Sequence, residues 1–433
     1  MYNSKDNSVR NLFIGIDTPI PISNNKSVIP INFDNAATTP VFQSVLKEIS
    51  NACEFYGAIG RGVGQKSEYS TKQYYKCKDY ILDFFNAPKD KYTVIFVSNT
   101  TEGLNRLSNI LINNSKDIVI LTRMEHHSND LPWRGKCNLK YVEVDKNGRL
   151  NLEDLQYLLE KYSGKVKYVS LTAASNVTGY INDIHLIAKL VHNHGAKIIV
   201  DAAQIVAHQK ISMDSINKDE SIDFLVFSSH KIYAPFGSGA IIGLRETFNE
   251  LDSDFKGGGT VDTVLDYSEV LFETPEKNEA GSPNFFGAIA LIQSMKEIEN
   301  IGFDYIYNHE KILLKRALNG LNSINGIQTY GDSINISDRL GIGIFNINGM
   351  YNGDVAKYLA TMRGIFVRQG AFCAHPYIKR LLCLSDEDAC KHLIDPNYKM
   401  PGMVRVSFGI YNIEEEVDIF LNTVEDISKL CKI

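Results

Sequence analysis

The sequence predicts an α/β protein, with a seven-stranded, mainly parallel sheet in a large domain and a smaller α+β domain at the C-terminal end. Three observations predict it. Between residues 92 and 244 short β-rich runs alternate with amphipathic segments. No linker interrupts that alternation. Beyond about residue 284 the texture changes to long helical patterns with short strands between them.

YTVIFV (92–97) is an apolar run of strand length, and residues 102–112 after it have helical spacing. IVILT (118–122) and LKYVEV (139–144) are the next strands. NLEDLQYLLEKY (151–162) places its apolar residues at helical intervals. VKYVSLT (166–172), IHLIAKLVHNHG (184–195) and AKIIVDAA (196–203) repeat strand, helix, strand, with Gly195 suited to end the helix. DFLVFSS (223–229) and GAIIGL (239–244) complete seven strands, and their near-continuous apolar character requires helices on both faces of the sheet. Two helical patterns follow at 284–300 and 303–322. Strands are expected in GIGIFNI (341–347), IFVRQG (365–370) and MVRVSFG (403–409), with helices at 352–364 and from about residue 413. The first thirty residues lack strong periodicity. The expected organisation is an arm over 1–30 packing on the small domain, a large domain over 31–283 and a small domain over 284–433.

Length and composition agree with this division. A chain of 433 residues exceeds one compact core. A net charge of −6 excludes a bulk electrostatic attraction to nucleic acid or to anionic lipid. No apolar run reaches the length of a membrane span, and MYNSKDNSVR has no apolar signal segment, so a cytoplasmic protein is expected. The seven cysteines (53, 77, 137, 373, 383, 390 and 431) are odd in number, scattered and without a CxxC pair, which fits a reducing compartment. Cys373, His375, Cys383, Cys390 and His392 fall within twenty residues, but their spacings are not those of a zinc ribbon or finger, and no metal is expected.

DFLVFSSHKIYAPFGSGAIIG is the most informative stretch. Lys231 stands just past a strand end among apolar residues, where desolvation disfavours the ammonium and a neutral amine can form a Schiff base. Its stem could equally lie over the strand with the charged head in water. IIVDAAQ puts Asp201 at the end of an apolar strand, where a buried carboxylate demands a cation such as a protonated pyridine nitrogen, or serves a helix cap or salt bridge. VSNTTEGLN sets Thr100 and Thr101 at a helix start, suited to a phosphate or to plain capping. MEHHSN offers His126 on a loop after a strand, as a stacking ring or a metal ligand. The four stretches lie at successive strand ends, and that edge of an open α/β sheet is where ligands bind.

These motifs resemble the class V aminotransferase group of fold-type I pyridoxal 5′-phosphate (PLP) enzymes, and most of all its cysteine desulfurases, with the related selenocysteine lyases. The resemblance runs from FDNAATTP (33–40) through SNVTG, VDAAQ, FSSHK, GGGT, EAGSPN and VRQGAFCAHP to VRVSFGIYNIEEEVD (404–418). It implies that Lys231 carries PLP, Asp201 pairs with the pyridine nitrogen, Gln204 bonds the ring oxygen and His126 stacks on the ring. It places Asn176 near the ring oxygen and substrate, and Thr100, Thr101, Ser228 and His230 on the phosphate. Ser282 in EAGSPN would complete the phosphate site of a second subunit, so a homodimer with shared active sites is implied.

The resemblance further implies that Arg405 grips the substrate carboxylate, that Asn35 helps to position the substrate, and that Cys373 is the catalytic thiol. The implied reaction turns L-cysteine into L-alanine and leaves a persulfide on Cys373 for an acceptor, which can be a protein. A free thiol titrates near ~8.5, so nearby cations favour the thiolate, and His375 and Arg368 are the candidates by proximity. The sequence departs from its relatives where they commonly carry His-His-Cys, for Ala371 and Phe372 precede Cys373, and Gly60 and Gly64 stand where relatives often have histidines. Those losses lie near the substrate and leave three other activities open: selenocysteine lyase, C–S lyase and aminotransferase. A scaffold that had lost turnover would not need to retain Lys231, Asp201 and His126.

Overall fold

The computed structural model describes residues 8–23, 26–60, 62–395 and 397–430, so the beginning of the expected N-terminal arm and Cys431 lie outside the described residues. The seven apolar runs form β1 (Tyr92–Val97), β2 (Ile118–Thr122), β3 (Asn138–Val142), β4 (Val166–Thr172), β5 (Lys197–Asp201), β6 (Phe224–Ser228) and β7 (Gly239–Leu244). They pair in the order β1-β7-β6-β5-β4-β2-β3, as the expected single sheet. Every pairing is parallel except those of β7, which runs antiparallel to both β1 and β6.

Both faces of this sheet are dry. Side chains alternate across a strand, so Val94 joins one core and Ile95 the other, and the same split separates Val200 from Ile199 and Leu225 from Val226. One core is closed by the helices Gln43–Glu54, Gln65–Phe84 and Phe285–Ile301, the other by Thr100–Leu111. Helix Phe285–Ile301 packs on Gln43–Glu54 and Gln65–Phe84 and adds Ala288, Leu291 and Met295 to the core on that face, although it follows residue 284. Gly195 has a φ of +73° just past the helix Ile184–His192, the left-handed turn that returns the chain to β5.

A four-stranded antiparallel sheet of β8 (Ile327–Thr329), β9 (Ile342–Ile347), β10 (Arg368–Gly370) and β11 (Met403–Ser407) runs β8-β9-β11-β10. It packs with helices Phe303–Ser323, Asn352–Arg363 and Glu414–Leu430 around a third core. The run 365–370, expected as one strand, is divided: Ile365–Phe366 pairs in parallel with Ile31–Asn32, whereas Arg368–Gly370 pairs with β11. The chain changes partners at Val367, and that change delivers the following loop to the large sheet. Of the N-terminal segment, Arg10 bonds the Tyr411 carbonyl and Glu416, and Phe13 packs on Phe42, Tyr233 and Tyr411. Among the described residues no helix is long and apolar enough to cross a membrane.

The outer side of edge strand β1 is protected by an ion pair. Glu279 accepts from the Phe96 backbone N–H at 2.6 Å, from Lys78 at 2.6 Å and from the Tyr74 hydroxyl at 2.9 Å. The Lys78 and Glu279 side chains are only 6% and 13% exposed, and an unpaired carboxylate there is costly. Lys78→Met should therefore lower the unfolding free energy by about 3 kcal/mol, read by urea denaturation, and an unchanged urea midpoint would contradict this account of the edge.

Candidate active site

The carboxyl ends of the parallel strands meet the loop after β10 around a cavity of about 640 Å³. β1 leads to Thr100 and Thr101, β2 to His126, β4 to Asn176, β5 to Asp201 and Gln204, and β6 to Ser228, His230 and Lys231. The four-stranded sheet and the loop after its β10 contribute Arg368, Phe372, Cys373 and Arg405.

Lys231 closes a single 3-10 turn, Ser229–Lys231, directly after β6. Burial pushes its amine down to about 8, although Asp201 opposes the shift. Asp201 is 3% exposed, and one carboxylate oxygen accepts the Ala203 N–H at 2.9 Å. Burial raises its pKa and Lys231 pulls it back. The other acid beneath the cavity is Glu125, fixed by Thr122, Asn129 and the Thr172 N–H. Burial pushes Glu125 up to about 8, so its neutral form predominates at neutral pH.

His126 caps the short helix His127–Asp130: its Nδ1 accepts the Ser128 N–H at 3.1 Å. Burial, helped by Lys231, pushes its pKa down to about 3, so the ring is neutral across the physiological range. The Thr100 N–H and hydroxyl both meet the Ser228 hydroxyl at 2.7 Å. Asn99, one residue earlier than Thr100, is the cap that accepts the Glu102 N–H. The Thr101 hydroxyl meets that of Ser128 at 2.6 Å. Burial lowers the His230 pKa to about 4, and its Nδ1 lies 3.3 Å from the Thr38 hydroxyl. The Gln204 amide donates to the Ala36 carbonyl at 2.8 Å.

Arg405 is 2% exposed and stands on β11. Its Nη1 donates to the Asn176 carbonyl at 2.8 Å and its Nη2 to Asp34 at 3.0 Å, while Nε has no partner among the described residues. Burial pushes the guanidinium down to about 10 against the pull of Asp34. Asp34 also holds Arg368, at 3.1 Å. Cys373 is exposed, and its carbonyl accepts the His127 N–H at 2.7 Å.

Two residues expected from the sequence are not brought to this cavity. Asn35 turns inward: its amide donates to the carbonyls of Asn32 and Ser407 and to Asn412, and its oxygen accepts from Tyr411. Ser282 lines a second cavity, with Tyr56, Tyr74 and Gly259. Of the two cations expected beside Cys373, Arg368 lines the cavity. The His375 ring packs instead on His127, at 4.8 Å between centroids, and burial lowers its pKa. Asp34, Ser128 and Glu125 were not expected; each sits beside a motif residue, but only the fold shows what it binds. Among the described residues no group of three or more His, Cys, Asp or Glu side chains is placed to hold a metal.

Fold and cavity define a class first: an α/β protein that gathers an amine, a buried carboxylate, a thiol and a guanidinium at the carboxyl edge of a mainly parallel sheet. The sequence profile described as Aminotransferase class-V matches residues 31–420, and the chain belongs to that family. It is 35% identical over 408 residues to a probable cysteine desulfurase of Pyrococcus abyssi, covering 92% of this chain and 94% of that one. It is 31% identical to a cysteine desulfurase of Wigglesworthia glossinidia brevipalpis, covering 93% of each. The apo structure of a cysteine desulfurase from Thermococcus onnurineus superposes with a TM-score of 0.82 at 32% identity, over 92% of this chain and 95% of that one. A cysteine desulfurase structure from Escherichia coli, 23% identical with a TM-score of 0.81 over 99% of each chain, shares the fold.

The Lys231 environment yields a direct test. In the unliganded protein, competitive acetylation read by peptide mass spectrometry should give Lys231 a midpoint near 8 rather than the ordinary 10.5, because the amine is poorly hydrated. A midpoint at the ordinary value would mean that water reaches it freely.

Proposed function

We propose that this chain is a PLP-dependent cysteine desulfurase: L-cysteine and the Cys373 thiol give L-alanine and a Cys373 persulfide. The observation that carries the reading is the convergence of Lys231, Cys373 and Arg405 on one cavity, an amine base, a nucleophile and a carboxylate anchor. The likeness to relatives bearing that name supports it.

The residues present fit the cofactor. Asp201 is a buried carboxylate suited to a pyridinium, and Gln204 to the ring oxygen. His126, neutral and part-buried, offers its ring face, and Thr100, Thr101, Ser228 and His230 supply donors for a phosphate. Bound at Lys231, PLP supplies an electron sink for the substrate α-carbon. The protein's own groups do the rest. Arg405, whose Nη1 and Nη2 each carry a second N–H, holds the α-carboxylate, and Asn176 steadies both Arg405 and the Phe372 carbonyl. Lys231 moves the α-proton, and a pKa near neutrality suits an amine for both removal and return. The Cys373 thiolate attacks the substrate sulfur; the new S–S bond forms as the Cβ–S bond breaks, and the carbon skeleton is protonated and leaves as alanine. Exposure of Cys373 suits the later delivery of its outer sulfur to an acceptor, including a protein.

A homodimer is part of this proposal. The hairpin Val261–Val264 and Glu269–Leu271 exposes Val264, Leu265, Tyr267 and Val270, an apolar surface that a second copy would cover. Ser282 lies apart from the chain's own cavity, in keeping with a role at the phosphate of that copy. The proposed setting is the cytoplasm.

Borohydride reduction of the yellow holoprotein should fix the cofactor to Lys231, and an adduct mapped to another lysine would overturn the assignment. Cys373→Ala should lose cysteine turnover at least about a hundredfold, with alanine and alkylation-trapped persulfide as the products scored. Full activity in that variant, or release of pyruvate in place of alanine, would refute desulfuration and leave an elimination on the same fold.

A further inference from the structure

Phe372, one residue before Cys373, is 7% exposed, yet it lines the cavity. Its ring centroid is 5.1 Å from the Arg405 guanidinium carbon. Its carbonyl accepts the Asn176 amide at 2.8 Å, and the Asn176 carbonyl accepts Arg405 Nη1 at 2.8 Å. Ring, amide and guanidinium are thus tied together. Phe372 and Cys373 both have left-handed backbones, at φ +50° and +53°. Such a conformation is unfavourable for an aromatic residue and persists only where the surroundings enforce it.

The charges explain what the ring does. Arg405 and Arg368 share one carboxylate, Asp34, leaving one positive charge in excess at the inner wall. An aromatic face stabilises a desolvated guanidinium without neutralising it. The ring therefore keeps Arg405 dry and still able to take one further carboxylate. Nη1 and Nη2 each spend one N–H, on the Asn176 carbonyl and on Asp34, and carry a second, so they can still donate to that carboxylate. A second carboxylate, on the substrate's β-carbon, would lie against the electron-rich ring face after the α-carboxylate had already matched the one positive charge in excess.

We infer that Phe372 is a specificity-determining residue: an aromatic cover on Arg405 that strengthens the grip on an α-carboxylate and restricts the space beside Cys373 to a small, uncharged β-substituent such as a thiol or selenol. This rests on the desulfurase reading for the identity of the substrate, but not for the measurement. Holoprotein is titrated with L-alanine and L-aspartate, neither of which donates sulfur, and binding is followed by the cofactor's absorbance.

Phe372→Leu, which keeps an apolar side chain and removes the π face, should weaken alanine binding about tenfold, while Phe372→Tyr stays within about twofold. Phe372→His should shift the alanine-to-aspartate preference toward aspartate by about tenfold at about pH 6, where an imidazole carries charge. Three results overturn the inference. One is alanine binding by Phe372→Leu equal to wild type. Another is equal weakening of both ligands in Phe372→Leu, Phe372→Tyr and Phe372→His, which marks a packing role alone. The third is a wild type that binds neither ligand. Wild-type holoprotein yielding no alanine and persulfide from cysteine refutes the desulfurase reading instead, while the binding comparison still decides the role of Phe372.

Discussion

An amine can be kept short of water beside a buried carboxylate only where the surrounding walls are already dry, and the arrangement of this molecule follows from that requirement. Asp201 ends β5 and Lys231 follows β6, two neighbouring strands whose residues are almost all buried. Covering both faces of the sheet removes water from the strand ends as well as from the core. Desolvation is accordingly the leading cause of the shifts at Lys231, Asp201, His126, His230 and Glu125. The same physical term acts in opposite directions on acids and bases, driving each toward its neutral form. Lys231 and Asp201 restrain one another against it, and the amine is left readily deprotonated.

The parts legible in the sequence share a property: their signal is local. Seven apolar runs were readable because strands buried on both faces need no partner information to look apolar. Lys231, Asp201, Thr100 and His126 were readable because each follows its strand within a few residues, so topology places them on one edge. Residues whose surroundings are assembled over long chain distances were not readable in the same way. Asn35 bonds Ser407 and Asn412, more than 370 positions away, and those bonds turn it from the cavity. The strand expected over 365–370 fails as a single element because the partners of its two halves, Ile31–Asn32 and Met403–Ser407, come from opposite ends of the chain. His375 is near Cys373 in sequence, but its ring packs on His127, which the sequence alone does not bring there.

Asp34 shows how the smaller sheet completes what the large sheet begins. It lies next to the short pairing of Ile31–Asn32 with Ile365–Phe366, and it touches Arg368 on β10 and Arg405 on β11. One carboxylate therefore fixes two cations on neighbouring strands of the smaller sheet. Without it, two buried or half-buried guanidiniums would face each other with like charge. With it, they remain close and carry one positive charge in excess, a charge that suits a further carboxylate. The Asn176 carbonyl, reached from the large sheet, adds a neutral acceptor and ties the two domains at the same guanidinium.

The thiol has the opposite need from the amine. Lys231 lies on a dry floor, whereas the Cys373 thiol is exposed. The loop after β10 meets both demands by turning sharply: two consecutive left-handed residues place Phe372 inward on Arg405 and leave Cys373 exposed. The turn is held from two sides, by the Asn176 amide on the Phe372 carbonyl and by the His127 N–H on the Cys373 carbonyl. Those donors arise from the loops after β4 and β2, so the large sheet that dries the amine also fixes the backbone presenting the thiol. An unfavourable backbone conformation survives at this point because both carbonyls are already satisfied; relaxing it would break two hydrogen bonds and uncover a buried guanidinium. The division between a buried guanidinium and an exposed thiol is thus written into one turn of the chain.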